Sequence, residues 1–220
     1  MKSLLSNNAL KIIAMITMFI DHFGLLFYPE VDAFRIIGRI AFPIYAYLIS
    51  EGCKYTHNRK RYLLQILILG LVCSIAYSIE DGVLFFCILS TFSISIMLIY
   101  LYDYCIKDIR NKSILFFLAL ILVYILCHYV EFDYGFFGIL VPLLVYMGKT
   151  KRVKLILLAI GLILLILNAG YSLQVYCILS IPFIMMYDGT RGKLKLKWIF
   201  YIFYPTHLIL LWVAYLIIRT

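Results

Sequence analysis

Long apolar stretches alternate with short charged or turn-forming breaks along the entire chain. Nine runs stand out: Lys11–Tyr28, Phe34–Cys53, Tyr62–Ile79, Leu84–Tyr104, Ser113–Val130, Tyr134–Met147, Val153–Asn168, Leu173–Tyr187 and Trp198–Ile218. Each predicts a helix. In hydrocarbon the backbone N–H and C=O groups must be satisfied within the segment, which excludes isolated strands. A spanning helix needs about 17–25 residues at 1.5 Å each. The sixth and eighth runs are short, so each is expected either to re-enter the membrane or to thin it locally. The expected fold is all-α: a polytopic integral membrane helical bundle of about nine transmembrane helices, forming one domain over residues 1–220.

Composition agrees with that reading. Apolar residues make up 65% of 220 positions and charged residues only 14%. A soluble domain of this length has too little interior to hide so much apolar surface. The 19 Tyr and 16 Phe suit the bilayer interfaces, where amphipathic rings collect.

The formal charge of +9 is explained by where the charges stand. With the N-terminus inside, the inner segments hold Lys2, Lys11, Lys54, Arg59, Lys60, Arg61, Lys107, Arg110 and Lys112. They continue with Lys149, Lys151, Arg152, Lys154, Arg191, Lys193, Lys195 and Lys197, together 17 of the 20 basic residues. The outer loops carry Glu30, Asp32, Glu80, Asp81, Glu131 and Asp133 and no lysine. An odd number of spans sorts every loop this way under the positive-inside rule, so the C-terminus is expected outside. The basic excess then reads as a topology signal with attraction for anionic membrane lipids, and no nucleic-acid partner is expected. The first apolar run is long for a signal peptide and lacks a small-x-small cleavage site, so it is expected to stay as a span of a multi-pass cytoplasmic-membrane protein. Six cysteines lie in helices or near the inner face with no C-x-x-C pair. Neither a disulfide framework nor a metal site is expected.

Some ionisable side chains remain inside the apolar runs, at a cost of at least about 2.5–3.5 kcal/mol each, and such groups usually line a site or cavity. They are Asp21 and His22 in the first run, Arg35, Arg39 and Glu51 in the second, and His207 in the last. Asp103 and His128 stand nearer the interfaces, and His57 lies in a basic loop. From helical rise, His22 is about 16 Å from the inner end of its span and His207 about 15 Å from the inner end of its own. Arg39 enters from the other side, about 8 Å below the outer surface. The three converge if their helices are neighbours. Lys11 and His22 are three helical turns apart and share a face at different depths. Pro43 removes the intrahelical donor to the Arg39 carbonyl, and Pro205 does so for Tyr201, close to His207. Pro142 and Pro182 read as simple kinks. Each polar residue has a plainer role open to it. A membrane histidine often just hydrogen-bonds a neighbouring helix, Arg35 is shallow enough to snorkel, and Glu51 stands where it would cap its helix.

Several segments resemble a known family. They are Leu10–Gly24 (LKIIAMITMFIDHFG), Phe34–Gly52 (FRIIGRIAFPIYAYLISEG), Asp133–Gly135 (DYG), Tyr187–Gly192 (YDGTRG) and Phe200–Leu208 (FYIFYPTHL). Taken in order, they resemble the TraX family across nearly the whole chain. The resemblance implies a link to conjugative plasmids, where the founding member acetylates the N-terminus of the pilin subunit. It also implies distant kinship with membrane acyltransferases of the acyltransferase-3 group and with heparan-α-glucosaminide N-acetyltransferase. These move an acyl group from cytoplasmic acyl-CoA to an acceptor on the far side. That group carries Arg or Lys, ten residues, then His in its first helix, and Lys11 and His22 stand at this spacing. Its second Arg-x10-His pair has no counterpart here.

The expectation drawn from residues and resemblance together is transmembrane acetyl transfer. Acetyl-CoA would bind from the cytoplasm, with inner-face bases such as Lys11 holding its phosphates. His22 would act as general base on the acceptor or as transient nucleophile. Arg39 would neutralise Asp21 or stabilise the developing oxyanion. His207 and Tyr204 would bound the acceptor side, with Asp133 at the outer mouth holding an acceptor ammonium, and Arg35 and Glu51 complete the candidate binding residues. The acceptor would be a pilin-like protein or an envelope glycan. Two other classes fit some of the same residues. A small transporter or flippase also needs buried charges and broken helices, usually with internal repeats that are not found here. A non-catalytic scaffold needs no mid-depth histidine.

Overall fold

The computed structural model describes residues 4–81, 84–170, 172–192 and 197–219. Of the charges assigned above, Lys2, Lys193 and Lys195 lie outside these residues, as do the side chains of Glu80, Asp81, Arg110 and Lys197. The α-helices are α1 (Asn7–Phe27), α2 (Asp32–Gly38), α3 (Ala41–Tyr55), α4 (Arg59–Asp81), α5 (Ile88–Cys105), α6 (Ile109–Tyr129), α7 (Gly135–Met147), α8 (Lys151–Ala169), α9 (Ile181–Met185) and α10 (Lys197–Arg219). Each of the nine apolar runs coincides with helix, the second with α2 and α3 together. The eighth coincides with a 3-10 segment, Leu173–Ser180, followed by α9.

Among the described residues, six helical stretches are long and apolar enough to cross a membrane. They are Asn7–Phe27, Asp32–Tyr55, Ile88–Asp108, Lys112–Tyr129, Lys151–Ala169 and Tyr201–Ile218. Two apolar helical stretches are shorter, Gly135–Met147 and Leu173–Met185. The outward faces are those of a membrane protein: on α6, Ile114 is 68% exposed and Leu122 67%. In water such a helix would present a continuous apolar surface. In lipid it needs no cover.

The chain forms two compact units, Met1–Leu48 with Leu162–Thr220, and Ile49–Gly161. In the first unit, Ser6 caps α1 by accepting from the Ala9 N–H at 3.3 Å. The segment after α9 straps the same end: Asn7 N–H donates to the Thr190 carbonyl and Asn8 N–H to that of Arg191. The first turn of α1 thus meets its otherwise orphaned donors within the fold. At the other end a turn at Pro29–Glu30 reverses the chain, and α2 folds back along α1. Gly24 and Gly38 allow this close approach, since a Cβ at either would collide with Phe34 or with the Asp21 side chain respectively.

α2 stops at Gly38, with Arg39 as its C-cap, and α3 restarts at Ala41. Pro43 accounts for the break. It supplies no N–H to the Arg39 carbonyl and is tolerated in the first turn of the next helix. Pro205 behaves differently, because α10 runs continuously through it. Pro182 stands in the first turn of α9, where the 3-10 segment ends, and it cannot donate the α-type bond to Ile178.

In the second unit, α5 is the buried helix, with Ser90, Thr91, Ser93 and Ser95 all inside. Small hydroxyls tie helices together here, as expected in a membrane where apolar contact alone does not drive association. Ser74 and Ser90 hydroxyls lie 3.0 Å apart, and Ser95 donates to the Ile139 carbonyl at 2.8 Å. One feature departs from the all-helical expectation. Phe85–Phe86 and Glu131–Phe132 form a two-residue parallel pair, with Phe86 stacked on Phe132 at 4.8 Å. The pair joins the segments leading into α5 and α7, where helix-end backbone groups need partners.

Candidate functional site

The first unit gathers the ionisable residues of α1, α2 and α10. Asp21, on the α1 face toward α2, receives two arginines. Arg35 Nη1 lies 2.8 Å from its Oδ2, and Arg39 Nη2 lies 3.3 and 3.4 Å from Oδ2 and Oδ1. Arg35 therefore turns inward rather than snorkelling, because the hairpin brings α2 beside a buried carboxylate. Two guanidinium groups and one carboxylate leave a net positive cluster. Arg39 Nη1 also donates to Gln174 Oε1 at 3.2 Å, which links the cluster to the 3-10 segment.

One position along α1, roughly 100° around it, stands His22. Its Nδ1 is 3.2 Å from His207 Nε2, and the ring centroids are 5.1 Å apart. The tautomers follow from the carbonyl partners. His22 Nδ1 is 3.0 Å from the Met18 carbonyl and His207 Nδ1 is 2.8 Å from that of Phe203. Carbonyls only accept, so each Nδ1 carries a proton. His207 Nε2 then has its lone pair and shares the single His22 Nδ1–H with the Met18 carbonyl. The remaining basic nitrogen of the pair is His22 Nε2.

His207 is 2% exposed and held on both sides. Phe203 stacks parallel to it at 4.7 Å, and Tyr204 meets it edge-on at 5.6 Å. Tyr204, expected at the acceptor side, therefore packs against the histidine pair. Lys11 lies on α1 one turn from its start, eleven residues before His22, and is half-buried.

Two expected binding residues belong to the second unit. Glu51 of α3 forms a buried ion pair with Lys154 of α8, the carboxylate accepting from the ammonium. Asp133 precedes α7; its N–H donates to the Phe86 carbonyl and its carbonyl accepts from the Thr91 hydroxyl at 2.8 Å. The next residue, Tyr134, has φ 61°, a left-handed conformation that is strained for a side chain of this size. The unit also pairs Arg59 with Asp103, whose carboxylate accepts from the Tyr146 hydroxyl at 2.8 Å. Gln174 and Lys154 are the partners of predicted site residues that sequence reasoning missed. Gln174 was an isolated amide within an apolar run, and Lys154 was counted among the loop bases.

Fold and site together define a polytopic helical membrane protein with a histidine pair beside an Arg–Asp–Arg cluster built on a buried carboxylate. The chain matches the TraX protein family over residues 6–215, and it belongs to that family. It is 25% identical over 232 aligned positions to the probable fimbrial assembly protein FimC, serogroup H1, of Dichelobacter nodosus, covering 92% of each chain. It is 34% identical over 153 positions to the uncharacterized protein RP591 of Rickettsia prowazekii (strain Madrid E), covering 66% of this chain and 57% of the other. No solved structure matches.

Proposed function

We propose that this protein is a membrane-embedded acetyltransferase, moving an acetyl group from cytoplasmic acetyl-CoA to an acceptor at the outer face of the bacterial cytoplasmic membrane. In this reading the chain crosses the bilayer nine times, with its N-terminus inside and C-terminus outside, as the loop charges require. The observation that carries the proposal is the His22–His207 contact at 3.2 Å, read with the Nδ1–H tautomer that the carbonyl partners imply for each ring.

The chemistry follows from that tautomer. His22 Nε2 takes the proton of the acceptor amine or hydroxyl as the acceptor attacks the thioester carbonyl carbon. As the ring becomes cationic, its Nδ1–H donates more strongly to His207 Nε2, which spreads the charge over two rings. The C=O electron pair moves onto oxygen, beside the positive Arg35–Arg39 cluster, then returns as the C–S bond breaks. The departing thiolate takes its proton from His22. Lys11, three turns nearer the inner face, provides a cation for the phosphates of the donor.

The acceptor class is drawn from the family and from the fimbrial assembly protein with which the chain aligns over almost its full length. A pilin-like protein N-terminus comes first and an envelope glycan second. The test is acetyl transfer in reconstituted vesicles with labelled acetyl-CoA, comparing wild type with His22→Ala. Wild-type consumption of acetyl-CoA that the variant lacks supports the reading. Wild-type protein that carries solute across the vesicle without consuming acetyl-CoA makes it a transporter instead.

A further inference from the structure

Gln174 is 7% exposed, in the 3-10 segment beside α2, and its carboxamide is oriented by chemistry. An arginine can only donate, so the atom 3.2 Å from Arg39 Nη1 must be the amide oxygen. That fixes the NH2 group on the side turned away from the guanidinium. There, Nε2 is buried with no hydrogen-bond partner among the described residues. Buried polar groups are nearly always paired, and an orphan donor calls for an explanation. The cost of leaving two N–H groups dry would select an apolar residue here unless something uses them. Ser172, which caps the segment by accepting from the Gln174 N–H at 3.3 Å, fixes the backbone and leaves the side chain committed to this site.

We propose that Gln174 is a catalytic residue whose Nε2 donates to the acyl oxygen as it becomes an oxyanion. Arg39 holds the carboxamide in place from its oxygen end. This rests on the acetyl-transfer reading and assigns a donor within it. The requirement is met in kind: a preorganised neutral donor, already desolvated, next to fixed positive charge. The oxygen negative in the tetrahedral intermediate receives the N–H bond, and the bond weakens when the carbonyl re-forms. No proton leaves the amide.

Gln174→Glu is the decisive variant. It keeps the shape and the acceptor toward Arg39, and it replaces the donor by an oxygen. Loss of one such donor lowers kcat by about 10²–10³-fold in enzymes that use an oxyanion hole. A fall of at least about tenfold in kcat, with KM for the acceptor unchanged, is the expected result for reconstituted Gln174→Glu. Gln174→Met, which removes both amide atoms, is expected to be as slow. Wild-type kcat in Gln174→Glu overturns the inference, since holding Arg39 is then all that Gln174 does. A rise in acceptor KM at constant kcat also overturns it, assigning the donor to a carbonyl of the acceptor instead. Should wild type itself consume no acetyl-CoA, the acetyl-transfer reading and this inference fall together. Active wild type with fully active Gln174→Glu removes this inference alone.

Discussion

His207 Nε2 lies 3.2 Å from Nδ1 of His22, although 185 positions separate the two in the chain. The partner of each ring's other polar contact is a carbonyl four residues earlier on its own helix. Both imidazoles are therefore aimed by helical geometry before they meet. In the proposed transfer His22 Nε2 is the base and His207 its support. General-base catalysis contributes about 10²–10⁴-fold, so His22→Ala is expected to lose acetyl transfer by at least that range. His207→Ala is expected to lose less, about 10–100-fold, because the base survives without its support. Labelled acetyl-CoA in vesicles measures both. A His207 variant more damaged than the His22 variant would reverse the assigned roles.

The Arg35–Asp21–Arg39 cluster makes a prediction about stability. Breaking a buried ion pair by removing one partner costs about 3–5 kcal/mol, because an uncompensated charge stays behind. Asp21→Asn leaves two guanidinium groups facing each other with no carboxylate. Its thermal midpoint in detergent is expected well below that of wild type. Arg35→Gln leaves the Asp21–Arg39 contacts in place and is expected to fall less. Equal midpoints for Asp21→Asn and wild type would mean that the cluster contributes nothing to the fold.

Much of this site was legible from helical rise and charge alone. Depth put His22, Arg39 and His207 near one level, and the cost of a lone charge in lipid made Asp21 and Arg39 natural partners. The inward turn of Arg35 was not legible, since it depends on the turn at Pro29 and on Gly24 and Gly38, which admit α2 against α1. Gln174 escaped notice for an energetic reason: a neutral amide costs far less to bury than a charge, so it does not stand out in an apolar run. Lys154 was hidden by its company, next to Lys151 and Arg152 at the start of α8, and its partner Glu51 is 103 positions away. The Phe85–Phe86 and Glu131–Phe132 pairing has only two residues per strand, too few for any alternating pattern to register.

Gly38 offers a narrower test. An added Cβ would run into the side chain of Asp21, so Gly38→Ala must push α2 away from α1 or rotate the carboxylate off its arginines. Overpacking of this kind typically costs about 1–3 kcal/mol. The variant is expected to unfold at lower temperature and to lose acetyl transfer together, through the displaced cluster. Gly170, with open space around a Cβ but φ 64°, is a suitable control for backbone strain alone. Its alanine variant is expected to lose stability without a matching loss of activity.

Loop charge predicts where each segment faces. Alkaline phosphatase fused after residue 220 is expected to be active, as it is only when exported. The same reporter fused after residue 150, among Lys149, Lys151 and Arg152, is expected to be inactive. A green fluorescent fusion at 150 should give the opposite result. An inactive phosphatase at 220 would make the number of crossings even and remove the outward-facing C-terminus.

Glu51 and Lys154 allow a structural role to be separated from substrate binding. The two are 6% and 4% exposed, so removing either leaves the other a buried charge without its ion-pair partner. Glu51→Gln alone is expected to cost about 3–5 kcal/mol, read as a large fall in thermal midpoint. The double variant Glu51→Leu with Lys154→Met replaces the ion pair by apolar groups of similar volume, a change that is often neutral or stabilising. Its midpoint should therefore return to the wild-type value or exceed it. The activity of that double variant carries the decision. If it transfers acetyl groups at the wild-type rate, the pair serves the fold alone. If it is stable and inactive, Glu51 or Lys154 takes part in binding, as expected for an ionisable residue inside an apolar run. Failure of the double variant to recover stability would mean that the carboxylate holds more than its lysine.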